Sequence, residues 1–337
     1  MAARFTILFL CLTLALIANL CLGETCVDPI TALKTAFSGK GELAAVLNEI
    51  RIPRLLSAML TGIYLSLSGY LLQKLSRNYL ADPYLTGVSS GAALGVAAAL
   101  LLGLDLSLVP LIAITGGIST STTVIVLSRR SATGHGGTHG LSITRLLLAG
   151  IALSAVAQAA INLMMHIFGT QSMSQGLNLW LMGGLSGRTW SELLPPLLYS
   201  IPALAVALFS GKQLRLLSLG EETAAALGLN VGRAQLIILA AAVMLTASAT
   251  SIAGLVGFVG LIAPYLARQI FKGSESVQIV SVLAIGAVLT LFADLAARTL
   301  IAAQELPLGS LMAVLGGPFF IYLLAGIDRV SESSEEA

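Results

Sequence analysis

The chain has 337 residues, 56% of them hydrophobic and only 10% charged, with a net charge of +2 and a mean hydropathy of +0.93. Soluble domains carry about 25% charged residues, so this sequence lacks the polar surface to coat a water-soluble globule, and the usual scaling of domain number with length does not apply. Its 18 basic residues are scattered rather than clustered, which argues against a nucleic-acid-binding face.

Ten stretches are long and apolar enough to sit in lipid: residues 4–22, 55–75, 85–102, 108–127, 143–168, 193–209, 234–252, 257–271, 277–300 and 308–327. A spanning helix needs about 20 mostly apolar residues. The expected fold is therefore all-α, a single membrane domain over 1–337 with ten transmembrane helices.

The first stretch follows Arg4 and has two readings. Leu20-Cys21 loosely resembles a lipoprotein cleavage site, but the apolar run is longer than the ~7–15 residues of a signal h-region, so a retained helix is expected. The three cysteines, Cys11, Cys21 and Cys26, show no CxxC or zinc spacing, and neither a metal site nor a disulfide framework is expected from them. The connection 24–54 is expected outside, with an amphipathic middle at 42–50 suited to the membrane surface. The inner connection 129–142 is rich in Gly, Ser and Thr. It holds His135 and His139, whose spacing suits a metal but which lack a third ligand; a flexible loop is the plainer reading.

In the fifth stretch Ser154, Gln158, Asn162 and His166 recur every four residues, placing a polar stripe on one face of an apolar helix. Two readings stay open: interhelical hydrogen bonds, at ~0.6–2 kcal/mol per contact, or the wall of a water-filled path. The outer connection 169–192 contains Trp180 and Trp190, the only tryptophans, and the membrane interface is where tryptophan prefers to sit. The inner connection 211–233 contains a predicted short helix, 220–229, with acids at its start as the helix dipole favours. It is either an interfacial helix or a docking element. In the ninth stretch Asp294 is the one acidic residue well inside a span. Such a carboxylate costs roughly 2.5–3.5 kcal/mol at a helix centre, and Arg298, four residues on, shares its face. A structural ion pair, a proton-coupling carboxylate and a docking role are all compatible with this pattern. The tail 329–337 is acidic and solvated.

Ten spans place both ends on one side. With that side cytoplasmic, the outer basic residues are Lys34, Lys40, Arg51, Arg54, Arg188 and Arg298, and the remaining twelve of the 18 are inside, as the positive-inside rule requires. No GxxxxGK[ST], HExxH or GxSxG motif occurs, so no nucleotide site of that kind, no catalytic residue, no metal and no cofactor is expected on this chain.

A series of motifs then becomes recognisable: Arg51-Ile-Pro-Arg54, Gly69 and Gln73, Arg77-Asn-Tyr-Leu-Ala-Asp-Pro83, Gly87 to Gly95, Trp180-Leu-Met-Gly-Gly184, Leu219-Gly-Glu-Glu-Thr-Ala224, Phe258-Val-Gly-Leu-Ile-Ala-Pro264 with Arg268, Asp294 with Arg298, Glu305-Leu-Pro-Leu-Gly309 and Gly316-Gly-Pro-Phe-Phe320. In this order they resemble the FecCD/BtuC-type permeases, the membrane subunits of type II ABC importers for iron–siderophores, haem and cobalamin, with molybdate in some members. The resemblance covers nearly the whole chain from Arg51. It implies a ten-helix subunit in the cytoplasmic (inner) membrane of a bacterium or archaeon, paired as a homodimer around a twofold pathway. Two cytoplasmic ATPase subunits holding ATP and Mg would attach below, and one substrate-binding protein would dock above. By motif position it implies docking through Arg51, Arg54 and Arg298. It places ATPase coupling at Leu219, Gly220, Glu221, Glu222, Thr223 and Leu227. The pathway lining would be Ser154, Gln158, Asn162 and His166, and the cytoplasmic gate Ser142, Ile143 and Thr144. Two residues depart from the family pattern: Tyr265 stands where His is usual, and Tyr79 where Pro is usual. An ion-coupled secondary transporter is the competing reading; it needs more intramembrane titratable groups than Asp294 alone.

Overall fold

The computed structural model describes residues 2–23, 27–28, 31, 35, 42–129, 142–301 and 304–335, with residues 42, 43, 106 and 324–335 described by backbone alone. These form a helical bundle of α1 (Ala2–Cys21), α2 (Ile52–Ser76), α3 (Val88–Leu101), α4 (Val109–Ser128), α5 (Ile143–Phe168), α6 (Gln171–Met182), α7 (Trp190–Phe209), α8 (Gly211–Ser218), α9 (Glu221–Ala226), α10 (Val231–Ala253), α11 (Val259–Ile270), α12 (Glu275–Thr299) and α13 (Leu308–Glu335). Each of the ten apolar stretches falls on a helix. Among the described residues seven helices are long and apolar enough to cross a membrane, while α3 and the Leu308–Leu323 part of α13 are apolar but shorter.

Local sequence sets the helix ends. Pro53 opens α2 within its first turn, where its missing N–H costs nothing. Arg77 closes α2 in the left-handed region at φ 51. Ser142 caps α5, its Oγ accepting from the Arg145 amide, and Asn230 caps α10 in the same way through Arg233. The segment ahead of α2 expected to be amphipathic is helical, Glu42–Ala45 running into a π-wound turn, Val46–Arg51.

Two helices form the centre. Burial within the chain reaches 78% along α10 and 72% along Val46–Ser76, against 17% for α1 and 22% for α5. Lipid tails are as apolar as leucine, so helices in a membrane associate by close packing and polar contacts rather than by the hydrophobic effect. The contacts of α2 have that character. A Cβ on Gly69 would overlap the Gly260 carbonyl of α11, and one on Gly62 would overlap the Gly286 carbonyl of α12. Hydroxyls add interhelical bonds: Ser68 Oγ donates to the Ala242 carbonyl at 2.8 Å and lies 2.6 Å from Thr246 Oγ1, and Thr290 Oγ1 donates to the Ala58 carbonyl at 2.8 Å.

Three expectations are corrected. The connection 169–192 is not simply a loop: it contains α6, and Trp180 packs with Leu177 and Ile161 between helices. Its amphipathic 12-residue run was too polar to stand out in a hydropathy scan. Trp190 is tied down by donating to the Asn48 carbonyl at 2.8 Å. The inner connection 211–233 holds two helices rather than one: the short helix expected over 220–229 is present as α9, and α8 precedes it, with Gly220 at φ 121 turning the chain between them. The stretch 257–271 yields only the 12 residues of α11, about 18 Å at 1.5 Å per residue, short of the ~30 Å hydrocarbon core. The segment 254–258 ahead of α11 is irregular, and Tyr84 Oη satisfies its backbone, accepting from Val256 N at 3.0 Å and donating to Val256 O at 3.2 Å.

Gly69→Val forces α2 from α11 and should destabilise the protein by about 1–3 kcal/mol. Gly176→Ala on α6, where a Cβ meets open space, should be neutral or stabilising by up to about 1 kcal/mol. Thermal unfolding of detergent-solubilised variants compares the two directly.

Candidate functional site

Polar side chains gather at the two ends of the bundle. At the end where α1 finishes and α2 starts, Asp294 of α12 is 1% exposed and held by two arginines. Arg54 Nη2 donates to its Oδ1 at 3.0 Å, and Arg298 Nε lies 3.3 Å from its Oδ2. Arg54 Nη1 also donates to Glu305 Oε1 at 2.7 Å, and Arg298 Nη2 to Asn19 Oδ1 at 2.6 Å. Asn19 in turn donates to the Leu291 carbonyl at 3.0 Å, which locks α1 onto α12. Arg51 is buried and caps the end of α1 by donating to the carbonyls of Leu20 and Cys21 at 2.7 and 3.3 Å. Arg54 and Arg298 thus share Asp294, and Arg54 also meets Glu305. A buried carboxylate is tolerable only when paired and hydrogen-bonded in this way. Burial works against the charge on Glu305, but the hydrogen bond and charge of Arg54 prevail and hold its carboxyl below the usual range.

The opposite end is held by α2, α11 and α12. Glu275 accepts from Lys74 Nζ at 2.7 Å and from the Tyr70 phenol. Gln73 donates to the Gly260 carbonyl at 3.2 Å and accepts from Arg268 Nη1 at 2.7 Å. Arg4 donates to the Ile270 carbonyl at 2.5 Å. Asp82 Oδ1 accepts from the Tyr84 amide at 2.8 Å, capping the turn Pro83–Thr86. Burial pushes the Asp82 carboxyl up to about 6, against the pull of that bond. Nearby, α8 and α9 lie on the bundle through buried Leu214, Leu217 and Ala224, with Leu219 and Leu227 58% and 59% exposed on the other side. Ser142 is buried at the start of α5, its amide bonded to the Ser128 carbonyl, whereas Thr144 is exposed.

Residues 11–326 match the FecCD transport family. The chain is 40% identical to the hemin transport system permease protein HmuU of Yersinia pestis, over 82% of each chain. It is 37% identical to the ferric enterobactin transport system permease protein FepG of Escherichia coli K12, over 84% of this chain and 83% of that one. With the vitamin B12 import system permease protein BtuC of Escherichia coli O139:H28 the identity is 36%, over 94% and 93%. Among solved structures, an inward-facing metal-chelate type ABC transporter superposes with a TM-score of 0.82 at 28% identity, covering 96% of this chain and 99% of that one.

The chain belongs to the FecCD transport family. It is a membrane permease, and the charged residues of its motifs sort into the two polar ends just described. In this FecCD permease Arg51, Arg54 and Arg298 do come together, but each guanidinium is engaged within the chain, and none projects as a free charge. Of the residues expected to couple to an ATPase, Leu219, Glu222, Thr223 and Leu227 are exposed, while Glu221 bonds Gln235 within the chain. Ser154 leaves the polar stripe: its Oγ lies 3.0 Å from Ser90 Oγ on α3, whereas Gln158, Asn162 and His166 are exposed and Gln158 donates to Asn162 Oδ1 at 3.0 Å. A helix advances about 100° per residue, so each step of four drifts about 40° and Ser154 ends about 120° from His166. The two departures from the family pattern are both accommodated by packing. The Tyr79 ring lies 4.5 Å from the Arg268 guanidinium carbon, a cation–π contact, and Tyr265 meets Phe319 edge-on. Among the described residues no three His, Cys, Asp or Glu side chains gather as a metal site; His135 and His139 lie outside the described residues. Sequence reasoning missed Asn19, Glu275 and Gln235, whose bonds to Leu291, Lys74 and Glu221 join separate helices.

Asp294→Asn leaves two arginines without their shared charge and should cost about 3–5 kcal/mol, whereas Glu305→Gln, removing a half-exposed partner, should cost under about 1 kcal/mol. Chemical denaturation in detergent ranks the two. For Asp82 the sign of the pH effect is fixed by its raised value. Between the unfolded value of about 3.9 and about 6 the folded chain holds more protons, so stability falls as pH rises through that window and is level above it. Asp82→Asn keeps the capping acceptor and should flatten that dependence, giving a higher melting temperature than wild type at pH 7.5 and no advantage at pH 4.

Proposed function

We propose that this chain is the transmembrane permease subunit of an ATP-driven importer in the cytoplasmic membrane. It passes a metal chelate of the iron–siderophore, haem or cobalamin type from a substrate-binding protein to the cytoplasm. The observation that carries this reading is the end-to-end fold match to an inward-facing metal-chelate type ABC transporter, joined with relatives that transport hemin, ferric enterobactin and vitamin B12. The chain crosses the membrane ten times with both ends in the cytoplasm. In support, Arg51, Arg54 and Arg298 collect at one end of the bundle, while Arg4, Lys74 and Arg268 collect at the other.

Each element has a part in that scheme. Two copies pair about the pathway, and the exposed apolar side chains of α5 and α13, among them Leu148, Ile151, Leu163, Val314 and Ile321, face lipid or the second copy. Gln158, Asn162 and His166 line the path, Ser154 bracing their helix against α3. Ser142, Ile143 and Thr144 form the cytoplasmic gate. Arg51, Arg54 and Arg298 at the outer end receive acidic side chains of the binding protein. The exposed Leu219, Glu222, Thr223 and Leu227 seat on an ATPase subunit, which holds the ATP and Mg. Gly220 sets the angle of that surface. The engagement of Asp294 by two arginines speaks against a proton relay and hence against an ion-coupled carrier.

Reconstitution with the cognate ATPase and binding protein tests this. Proteoliposomes should accumulate labelled haemin, a ferric siderophore or cobalamin only when ATP is supplied. Uptake driven by a pH gradient without the ATPase would contradict the reading.

A further inference from the structure

The two acids of the coupling segment differ in their surroundings. Glu222 is exposed, whereas Glu221 is half-buried and its Oε1 accepts from Gln235 Nε2 at 3.0 Å. Gln235 sits near the start of α10 and is 2% exposed. A buried amide is costly unless hydrogen-bonded, by about 1–3 kcal/mol, and an apolar residue would fill the same space without that demand. Gln235 also borders a small pocket together with Asp82, Thr86, Ile143 and Leu146. Ile143 and Leu146 are the first turn of α5, next to the buried cap Ser142. One side chain therefore touches α9, which carries the exposed ATPase-facing surface, and the space beneath the base of α5.

The geometry of α9 makes this link matter. Six residues are too few for a helix to hold its own register. α9 is fixed to the bundle by Ala224, which is fully buried, and by the Glu221–Gln235 bond. Close-packed interiors move between discrete arrangements rather than deforming smoothly, so a shift of α9 reaches whatever Gln235 packs beside.

We propose that Gln235 is the positioning residue that carries displacement of α9 to the base of α5, with Glu221 as its handle and Glu222 left to meet the ATPase. The proposal deepens the reading of the chain as an ATP-driven permease and rests on it. Coupling between sites travels through contiguous contacts that have two arrangements, and Gln235 is bonded to α9 and lines the same pocket as the first turn of α5.

The test uses the full complex with its ATPase and binding protein, and measures substrate imported per ATP hydrolysed alongside ATPase co-purification. Gln235→Leu and Glu221→Ala should keep the ATPase bound and hydrolysing, with import per ATP reduced at least tenfold. Glu221→Gln retains an acceptor oxygen and should stay within twofold of wild type. The double variant Gln235→Leu/Glu221→Ala should be no worse than either single one, as expected for two halves of one contact. Glu222→Lys should instead release the ATPase. Wild-type import per ATP in both single variants overturns the proposal, and so does loss of the ATPase from either. Should Gln235→Leu fail to assemble, Glu221→Ala, at the half-exposed end of the bond, decides the matter alone. A wild-type complex that imports nothing with ATP would sink the permease reading, and this inference with it; a working wild type matched by its variants sinks only this inference.

Discussion

Backbone-to-backbone contact along α2 is the constraint on which the rest of the structure depends. In lipid no hydrophobic gain rewards helix association, so the bundle is held where glycines let main chains touch, Gly62 on Gly286 and Gly69 on Gly260, and where hydroxyls bridge neighbours. The same helix carries Arg54 at one end and Tyr70, Gln73 and Lys74 at the other. Both polar networks therefore hang from one strut, and each reaches across to α11 or α12. Close packing in the middle fixes the relative heights of these helices, which is what lets long side chains meet at 2.7–3.3 Å at both ends.

A division of labour follows. The strut and its partners are buried and cross-braced. The helices assigned to pathway, gate and ATPase contact, α5, α8 and α9, lie at the periphery with fewer tertiary bonds. Peripheral elements with few buried contacts are those that can shift at low cost, and a transporter needs some helices that stay and some that move. The charge cluster around Asp294 belongs to the staying part. Its arginines serve the fold first, each engaged within the chain.

Much of this was legible in the sequence. The apolar stretches located ten of the helices, and the four-residue spacing of Asp294 and Arg298 gave their ion pair directly. What was hidden had a physical reason in each case. Arg54 joins Asp294 from 240 positions away, and no local pattern reports a distant partner. α6 is amphipathic and short, below the reach of a hydropathy window. The four-residue stripe on α5 looked like one face, but helical drift turns Ser154 toward α3. Glu221 and Glu222 are adjacent and chemically alike, and only the fold separates an inward bond to Gln235 from an outward surface.

The central claim is that this polypeptide is one half of a membrane conduit whose driving force is supplied by other chains. Native mass spectrometry of the complex released from lipid nanodiscs, after co-expression with its cognate ATPase, measures that directly. The account predicts an assembly of two copies of this chain with two copies of the ATPase. A single copy, stable and free of any nucleotide-hydrolysing partner, would contradict it.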